Sequence, residues 1–352
     1  MFLATAINVH TPDLHSTAAH RIKINILSIG AIFRSIIKCS CFCKWCFLFS
    51  GNIYCGEHKP GYRSYCHPNE YKSVTCLVFH NNGDGTFTDV SKQAGIADPN
   101  GKSLGVSFSD YDGDGWTDIY VANDSVMCFL YHNKGNGTFE EVALTAGAGY
   151  NEDGKPYAGM GVDFADYDND GRPDIFVTNL SQETYALYRN VGSGAFQYVT
   201  NRSGVGHASR PYSGWSTKFI DYDNDGWKDL FVAQGHVLDT IERTAPNLKY
   251  LQPPMLLHNE GGNFTQVPPA AAGPAFSAAK AGRGAAFGDL DNDGHIDIVM
   301  TNLGGAPTIL RNTAGNRNHW LTLRLEGKRA NRDGIGCRVK VSLASGDRKS
   351  VV

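Results

Sequence analysis

The stretch DYDGDGWTDIYVAN, from Asp110 to Asn123, decides the fold of this chain. It places four acidic side chains within nine residues and then continues directly into an apolar, β-branched run. Carboxylates packed this closely repel one another and raise one another's pKa unless a cation joins them. The stretch therefore indicates either a cation-binding turn before a buried strand or a cluster of catalytic acids.

The same nine-residue pattern occurs four times. DYDGDGWTD at Asp110 returns as DYDNDGRPD at Asp166, DYDNDGWKD at Asp221 and DLDNDGHID at Asp289, at offsets of 56, 55 and 68 residues. A Phe stands two residues before each first Asp, and a small residue stands five residues before it. The runs that follow are DIYVAN, DIFVTN, DLFVAQ and DIVMTN, which predict short buried strands.

A second motif accompanies each acidic loop. It reads LYHNKGNGTFEEV from Leu130, LYRNVGSGAFQYV from Leu187 and LLHNEGGNFTQV from Leu256. An extra copy, LVFHNNGDGTFTDV from Leu77, precedes the first loop, and a remnant, ILRNTAGN from Ile309, follows the last. Two β-rich runs joined by a Gly-containing turn predict a hairpin, so each unit has about four strands.

Four-stranded units in series predict an all-β fold, a β-propeller whose radial blades leave only short edges exposed. A solenoid is the alternative, although its repeats are usually shorter. Gly makes up 40 of the 352 residues without a collagen-like period, which fits many tight turns. The third unit carries a longer connection from Gly235 to Pro254, which predicts either a binding loop on one face or a plain surface loop.

Each acidic loop has the pattern of a calcium site. Alternate Asp residues at positions 1, 3 and 5 turn inward, the Gly at position 6 permits a sharp turn, and the position 7 carbonyl can face the same point. Oxygen-only ligands in a flexible loop suit Ca²⁺ better than Mg²⁺. An EF-hand is excluded, because it needs a Glu at position 12 and flanking helices. Position 12 here is Val121, Val177, Val232 or Met300, inside the predicted strands.

We therefore predict about four Ca²⁺ ions, one per loop. For a single copy, the alternative is an Asx-rich turn without metal, which four repeated copies make unfavourable. The predicted side-chain ligands are Asp110, Asp112, Asp114, Asp118, Asp166, Asp168, Asp170, Asp174, Asp221, Asp223, Asp225, Asp229, Asp289, Asp291, Asp293 and Asp297. The predicted carbonyl ligands are those of Trp116, Arg172, Trp227 and His295.

The net charge of −3, without long basic or acidic blocks, implies neither a nucleic-acid partner nor an anionic membrane surface. Calcium sites of extracellular modules bind with Kd values of about 10⁻⁴–10⁻³ M and fill outside the cell. An extracellular, periplasmic or cell-envelope location is therefore predicted. No catalytic constellation stands out: SGWS from Ser213 lacks the glycines of a nucleophile elbow, and AGRGAAFG from Ala281 aligns with the blade strands.

The loops and the LYxNxGxGTFxxV hairpins resemble the FG-GAP/VCBS repeats of integrin-α-like propellers. The segment from Asn318 to Val341 resembles the start of the ASPIC/UnbV domain, which follows such repeats in cartilage-acidic-protein-like and UnbV-like proteins. The residues that match its NRDxIGxRV core are Asn331, Arg332, Asp333, Ile335, Gly336, Arg338 and Val339. Gly334 and Cys337 stand where the family more often has Ala.

The resemblance implies a propeller of about seven blades, whereas the chain shows four loops and a leading hairpin. We therefore expect a fragment of a longer protein. The predicted organisation is an unassigned leader or mis-assigned start at 1–50, a Cys-containing segment at 51–76, propeller blades at 77–315 and a partial ASPIC/UnbV domain at 316–352. The mis-assigned start is the favoured interpretation of the first segment, which we expect to be poorly ordered.

The nine Cys residues are unevenly placed, with seven between Cys39 and Cys76. Cys55 and Cys66 can form a local disulfide, which suits an oxidising compartment and resembles a Cys-bracketed segment of the same family. A Cys76–Cys128 pair is less favoured, because equivalent strands of neighbouring blades are normally too far apart. The run at 38–46 fits no common zinc spacing, and the charged residues within 24–49 make it a poor membrane span.

Two functions remain open at this stage. The favoured one is a monomeric adhesion or binding module that recognises protein or carbohydrate through loops on a propeller face, without catalysis or a membrane span. The alternative is an enzyme or enzyme accessory on the same scaffold, as in polysaccharide lyases or UnbV-linked biosynthesis. A pocket gathering His, Arg or Tyr outside the loops favours the enzyme, whereas an aromatic or polar face favours binding.

Overall fold

The computed structural model describes residues 22–26, 35–38, 54–56, 58–60, 62, 64–314, 319–323, 325–326, 339–342 and 348–351. The Cys-rich run at 39–46 and most of the ASPIC/UnbV-like core, 331–338, lie outside these residues. Two strands fall within the first fifty residues: β1 (Ile22–Ile26) and β2 (Ser35–Lys38). The first pairs with a strand near the C-terminus and the second with the leading hairpin.

The repeats form four antiparallel sheets arranged as a four-bladed β-propeller. The leading hairpin contains β3 (Leu77–Asn81) and β4 (Phe87–Asp89). Blade 1 contains β5 (Ser103–Ser109), β6 (Asp118–Asn123), β7 (Phe129–Asn133) and β8 (Phe139–Glu141). Blade 2 contains β9 (Val162–Ala165), β10 (Asp174–Val177), β11 (Ala186–Gly192) and β12 (Ala195–Tyr198).

The third and fourth blades follow the same order. Blade 3 contains β13 (Gly214–Ile220), β14 (Asp229–Gln234), β15 (Met255–Glu260) and β16 (Asn263–Gln266). Blade 4 contains β17 (Gly282–Gly288), β18 (Asp297–Asn302) and β19 (Gly305–Leu310), so its described sheet has three strands. The remaining strands are β20 (His319–Leu323), β21 (Val339–Ser342) and β22 (Arg348–Val351).

Short helices lie in the connections between these strands. They are α1 (Ala143–Ala146), α2 (Val205–Ser209), α3 (Ile241–Thr244) and α4 (Pro269–Ala272), with single 3₁₀ turns at Pro68–Glu70 and Pro274–Ser277. The long connection of the third unit contains α3. The predicted all-β architecture with hairpins, and the strand reading of the segment from Ala281, are confirmed.

The second strand of blades 1, 2 and 3 supplies side chains to two hydrophobic cores at once. Along β6, Ile119 and Val121 pack toward the leading hairpin, whereas Tyr120 and Ala122 pack toward blade 2. All six residues of β6 are buried. Because side chains alternate between the two faces of a strand, a fully apolar run is required where both faces are covered. This explains why the acidic loops of blades 1 to 3 are each followed by an unbroken apolar stretch.

The Gly five residues before loops 1 and 2 permits neighbouring blades to approach closely. The first strands lie side by side around the axis, β5 with β9, β9 with β13 and β13 with β17. A Cβ atom added to Gly161 would lie 1.9 Å from the carbonyl oxygen of Trp215 in the next blade, and one added to Gly105 would lie 2.2 Å from that of Met160. Backbone contact at this distance excludes any side chain.

Candidate metal sites in the acidic loops

All four acidic loops lie at the same end of the propeller, because each connects the first strand of a blade to the second. Within a loop, the carboxylate at position 1 accepts two backbone N–H groups. Asp166 Oδ1 accepts from Asp170 at 2.9 Å and Oδ2 from Gly171 at 2.9 Å, and Asp289 repeats this with Asp293 and Gly294. These bonds fold each loop into a tight turn whose carboxylates converge.

Positions 4 and 6 of each loop require a left-handed backbone. Position 4 has a φ of 79° at Gly113, 58° at Asn169, 56° at Asn224 and 61° at Asn292. Asn and Gly are the residues that adopt this region most readily, and Gly occupies position 6 in every copy. The sequence therefore encodes the turn through residue types that tolerate positive φ, independently of any metal.

The Asp at position 9 is the first residue of each second strand, and its side chain is buried. Asp118 is 0% exposed; its Oδ1 accepts the backbone N–H of Asn133 at 2.8 Å and its Oδ2 that of Tyr111 at 3.1 Å. The same two bonds recur at Asp174, Asp229 and Asp297. This carboxylate therefore ties the acidic loop to the hairpin of its own blade.

An Asn in the hairpin of blades 2, 3 and 4 ties each of these blades to the preceding one. The side-chain amide of Asn259 donates to the carbonyl of Lys228 in its own loop at 2.9 Å and to that of Tyr167 in the loop of blade 2 at 2.8 Å. Asn190 bonds to Tyr111 of blade 1, and Asn312 bonds to Tyr222 of blade 3. The acidic loops thus form a hydrogen-bonded series along the array.

Burial raises the pKa of several of these carboxyl groups. The pKa of Asp118 is raised to about 7 and that of Asp229 to about 6, in both cases chiefly by loss of solvation. The pKa of Asp166 is raised to about 6 and that of Asp174 to about 9 for the same reason, with neighbouring carboxylates adding to the shift. Such values indicate that the folded loops place more negative charge together than their protein surroundings stabilise.

The donor atoms converge closely enough to bind a cation. Oxygens of Asp110, Asp112 and Asp114 lie within 4.8 Å of one another, and the equivalent atoms of Asp221, Asp223 and Asp225 do the same. In blade 2, Asp166, Asp168 and Asp174 form such a group. Several carboxylate oxygens in a flexible turn are the donor set that suits Ca²⁺. The predicted side-chain ligands in these groups therefore fit the ion.

Sequence reasoning missed the residue that precedes the hairpin Asn. This position is His132 in blade 1, Arg189 in blade 2, His258 in blade 3 and Arg311 in blade 4, and in each case the side chain contacts the acidic loop of its own blade. The strand register explains this, because pairing of Ile119 with Tyr131 places the next residues, 118 and 132, opposite each other. In the sequence, the residue before the hairpin Asn alternates between His and Arg from blade to blade, and this alternation was the signal that could have revealed the contact.

The opposite end of the propeller carries a cavity of about 500 Å³ beside blade 1. Its lining residues are Tyr71, Lys72, Ser73, Asp98, Asn100, Lys102, Val126, Met127, Phe129 and Tyr150. Lys102 precedes β5 and Met127 precedes β7, which places the cavity away from the acidic loops. This described lining is aromatic and polar, and it contains neither His nor Arg.

The segment before the leading hairpin contains a disulfide between Cys55 and Cys66. The ring of Tyr62, within it, lies under the guanidinium of Arg243 from the long connection of blade 3, at 5.6 Å. Lys102 of blade 1 donates to the carbonyl of Pro68 at 3.0 Å. This segment therefore contacts both blade 1 and blade 3 at the end opposite the acidic loops.

Cys76 and Cys128 are both buried and are not joined to each other. The Cys76 sulfur contacts the Ser103 hydroxyl at 3.1 Å, and the Cys128 thiol donates to the Tyr157 hydroxyl at 3.7 Å. Burial raises the pKa of the Cys128 thiol. Among the described residues, no helix is long and apolar enough to cross a membrane.

Comparison with protein families matches the FG-GAP-like repeat at residues 73–121, 110–177 and 166–232. These three matches overlap and together cover residues 73–232. It is similar to cartilage acidic protein 1 of Homo sapiens, with 30% identity over 166 residues that cover 45% of this chain and 24% of that protein. The Mus musculus protein is 29% identical over the same length, covering 45% of this chain and 25% of that protein.

The chain thus spans about a quarter of the length of the curated relatives it matches. Among solved structures, it is similar to an Agrocybe aegerita lectin in a study of recognition of non-reducing terminal N-acetylglucosamine. That match has 20% identity, a TM-score of 0.37, and coverage of 69% of this chain and 61% of that chain. The exotype rhamnogalacturonan lyase YesX matches with 14% identity, a TM-score of 0.38, and coverage of 82% and 49%.

Proposed function

We propose that this chain is a calcium-stabilised propeller module of an extracellular or cell-envelope protein, which binds a protein or carbohydrate ligand and performs no catalysis of its own. The observation that carries the proposal is the buried Asp at position 9 beside the converging carboxylates of each loop. Folding buries a negative charge at this point, and a bound cation compensates it. Calcium, when bound, supplies that compensation.

The chain's own residues prepare the loops for the ion. Backbone N–H groups at positions 4 to 7 hold the carboxylates of positions 1 and 5, so little rearrangement is needed on binding. The position 9 carboxylate accepts two backbone N–H groups and retains lone pairs that can face the loop. Because the position 9 Asp also contacts the hairpin, calcium bound there would stabilise the blade and, through the hairpin Asn, its neighbour.

The cavity at the other end is the ligand site that we favour. Tyr71 and Tyr150 offer aromatic surface, while Asn100 and Lys102 offer hydrogen-bond donors. Ligand sites commonly combine an apolar or aromatic lining with a few polar groups that fix orientation.

Thermal unfolding with and without calcium tests the metal part of this proposal. Calcium should raise the Tm substantially over EDTA, and Mg²⁺ at the same concentration should raise it less. An unchanged Tm would overturn the calcium assignment. The ionic strength should be matched with NaCl, so that general screening is held constant.

A glycan and matrix-protein binding screen tests the ligand part. The Tyr150→Ala variant should lose binding of any ligand that the unmodified protein retains. Tyr54, an exposed residue outside the cavity, provides the matched control, and Tyr54→Ala should bind normally. Equal binding by both variants would place the ligand elsewhere.

A further inference from the structure

The four acidic loops fall into two classes according to the hairpin residue that faces them. Blades 1 and 3 present an imidazole, from His132 and His258, whereas blades 2 and 4 present a guanidinium, from Arg189 and Arg311. A guanidinium is a permanent cation without an acceptor atom, whereas an imidazole nitrogen is a metal ligand. The two classes therefore offer a metal ion different surroundings.

In the histidine class, a ring nitrogen points into the carboxylate group. His132 Nδ1 lies 3.2 Å from Asp112 Oδ2 and 3.5 Å from Asp118 Oδ1; this nitrogen is buried and makes no hydrogen bond within the described structure. His258 Nδ1 lies 3.1 Å from Asp229 Oδ1 and 3.7 Å from Asp223 Oδ2. Each imidazole thus lies within the group of atoms that can hold an ion.

In the arginine class, the carboxylates are already paired with fixed positive charge. Arg189 Nε lies 2.5 Å from Asp168 Oδ2, and its terminal nitrogen lies 3.2 Å from Asp170 Oδ2. Arg172, at position 7 of the same loop, also contacts Asp170. A metal ion that uses Asp168 and Asp170 must displace or tolerate these guanidinium groups.

Blade 4 is an intermediate case. Arg311 lies 2.5 Å from Asp291 Oδ2, but its side chain is 65% exposed, so solvent weakens the pair. Counting only the four Asp of each loop and the Arg residues that contact them, the ligand groups of loops 1 and 3 each sum to −4, that of loop 4 to −4 + 1 = −3 and that of loop 2 to −4 + 2 = −2. Lys228, at position 8 of loop 3, is left out of this sum because it forms no ion pair with these Asp residues in the described part of the chain. The expected order of affinity for a divalent cation is therefore loops 1 and 3, then loop 4, then loop 2.

We propose that loops 1 and 3, whose carboxylates face an imidazole in place of a guanidinium, are the tight divalent-cation sites of this module, and that the arginines make loops 2 and 4 weak sites. This inference rests on the proposed calcium function and adds that the four loops differ in their affinity for the ion. In loop 2, Arg172 and Arg189 supply part of the charge compensation that the ion supplies in loops 1 and 3.

Terbium luminescence can identify the tight sites, because Trp116 and Trp227 occupy position 7 of loops 1 and 3. Loop 2 has Arg172 and loop 4 has His295 at that position. Trp320 packs against Gly294 of loop 4, so its ring must be removed by Trp320→Phe before loops 1 and 3 are measured. Excitation at the red edge of indole absorbance avoids the tyrosines at position 2.

In the Trp320→Phe background, we expect the sensitised Tb³⁺ emission to reach its maximum once the two tight sites are filled. Adding Trp116→Phe or Trp227→Phe to that background should each remove about half of this emission. Equilibrium dialysis with Ca²⁺ at one fixed pH should give two tight ions per chain, with further ions bound at least about tenfold more weakly. In a variant that carries Trp116→Phe and Trp227→Phe but retains Trp320, the emission reports loop 4 and should appear only at higher Tb³⁺ concentrations.

The arginine variants test the cause. Arg172→Gln combined with Arg189→Gln should convert loop 2 into a third tight Ca²⁺ site, whereas Lys134→Gln should leave the stoichiometry at two. Lys134 pairs with Glu140 at a hairpin tip and serves as the matched control. His132→Arg should convert loop 1 into a weak site and remove one tight ion, which provides a second measurement if the loop 2 variants fold poorly.

Four equivalent sites, or an arginine variant that folds and still binds two tight ions, would overturn this inference and leave the calcium function standing. Tight emission that survives loss of both position 7 tryptophans would also overturn it. Absence of Ca²⁺ binding at any concentration that stabilises extracellular modules would instead overturn the proposed function itself.

Discussion

Removing calcium should make the stability of this protein fall as the pH rises, the reverse of ordinary acid denaturation. Asp118 is completely buried, and burial raises its pKa from 3.8 to about 7. A carboxyl group with a raised folded pKa holds its proton more tightly in the folded state than in the unfolded one. It therefore costs no stability below pH about 4, and the cost is complete once the pH exceeds about 7.

The size of this effect is large compared with the stability of a domain. A difference of about three pH units between the folded and unfolded pKa corresponds to about 4 kcal/mol at pH 8. Asp229, also fully buried and with a pKa raised to about 6, adds about 3 kcal/mol of the same sign. Typical domains have only about 5–15 kcal/mol of stability, so either cost should lower the Tm by about 10 °C.

Calcium binds the ionised carboxylates and should reverse this trend. Its stabilisation grows with pH as the carboxyl groups lose their protons, and it reaches about 2.7 kcal/mol per site at a concentration of about 100 times Kd. Circular dichroism melts at several values between about pH 5 and about pH 8, in EDTA and in calcium, measure both trends. A Tm in EDTA that rises with pH, parallel to the calcium curve, would refute the reasoning.

Two further predictions concern the contacts between blades. Asn259→Ala removes the hydrogen bonds that its side chain donates within blade 3 and across to blade 2, and it should lower the free energy of unfolding in urea by about 2 kcal/mol. Asn81→Ala, at the same position of the leading hairpin, should lower it much less, because the Asn81 side chain accepts from Gly83 of its own turn. Gly161→Ala should cost about 2 kcal/mol or more in thermal unfolding, since its Cβ would overlap a backbone carbonyl of blade 3. Gly288→Ala, with open space around it, is the matched control, and equal losses in the two variants would contradict the close-packing argument.

Most of the fold could be predicted because its signals are local. The Asp pattern, the Gly at position 6 and the apolar run after it repeat four times, and each property can be read within about nine residues. The left-handed backbone at position 4 is also a local property, because it depends only on the φ of the residue itself, and Gly113 and Asn169 adopt a positive φ readily. An apolar residue at position 12, where an EF-hand has Glu, likewise excludes the EF-hand on the sequence alone.

The contacts of the hairpin residues could not be predicted in the same way, because they depend on register. His132 faces Asp118 only because Ile119 pairs with Tyr131, and a shift of one residue would turn the imidazole to the other side of the sheet. The bond from Asn259 to Tyr167 spans 92 residues and requires two blades to be docked. Neither the strand register nor the docking distance is encoded in residue spacing alone.

The repeated and the variable parts of the chain occupy opposite ends of the same strands. At the acidic end, the loop has nine residues in every blade, and its hydrogen bonds are nearly identical. At the other end, the second and third strands are joined by connections that run from 303–304 in blade 4 to 235–254 in blade 3. A feature repeated in all blades presents a similar surface in each and cannot distinguish one ligand from another, whereas unequal loops create a surface that differs around the axis. Ligand specificity should therefore respond to substitutions near Tyr150 and not to substitutions in loops such as that of Asp110, provided that calcium keeps the blades folded.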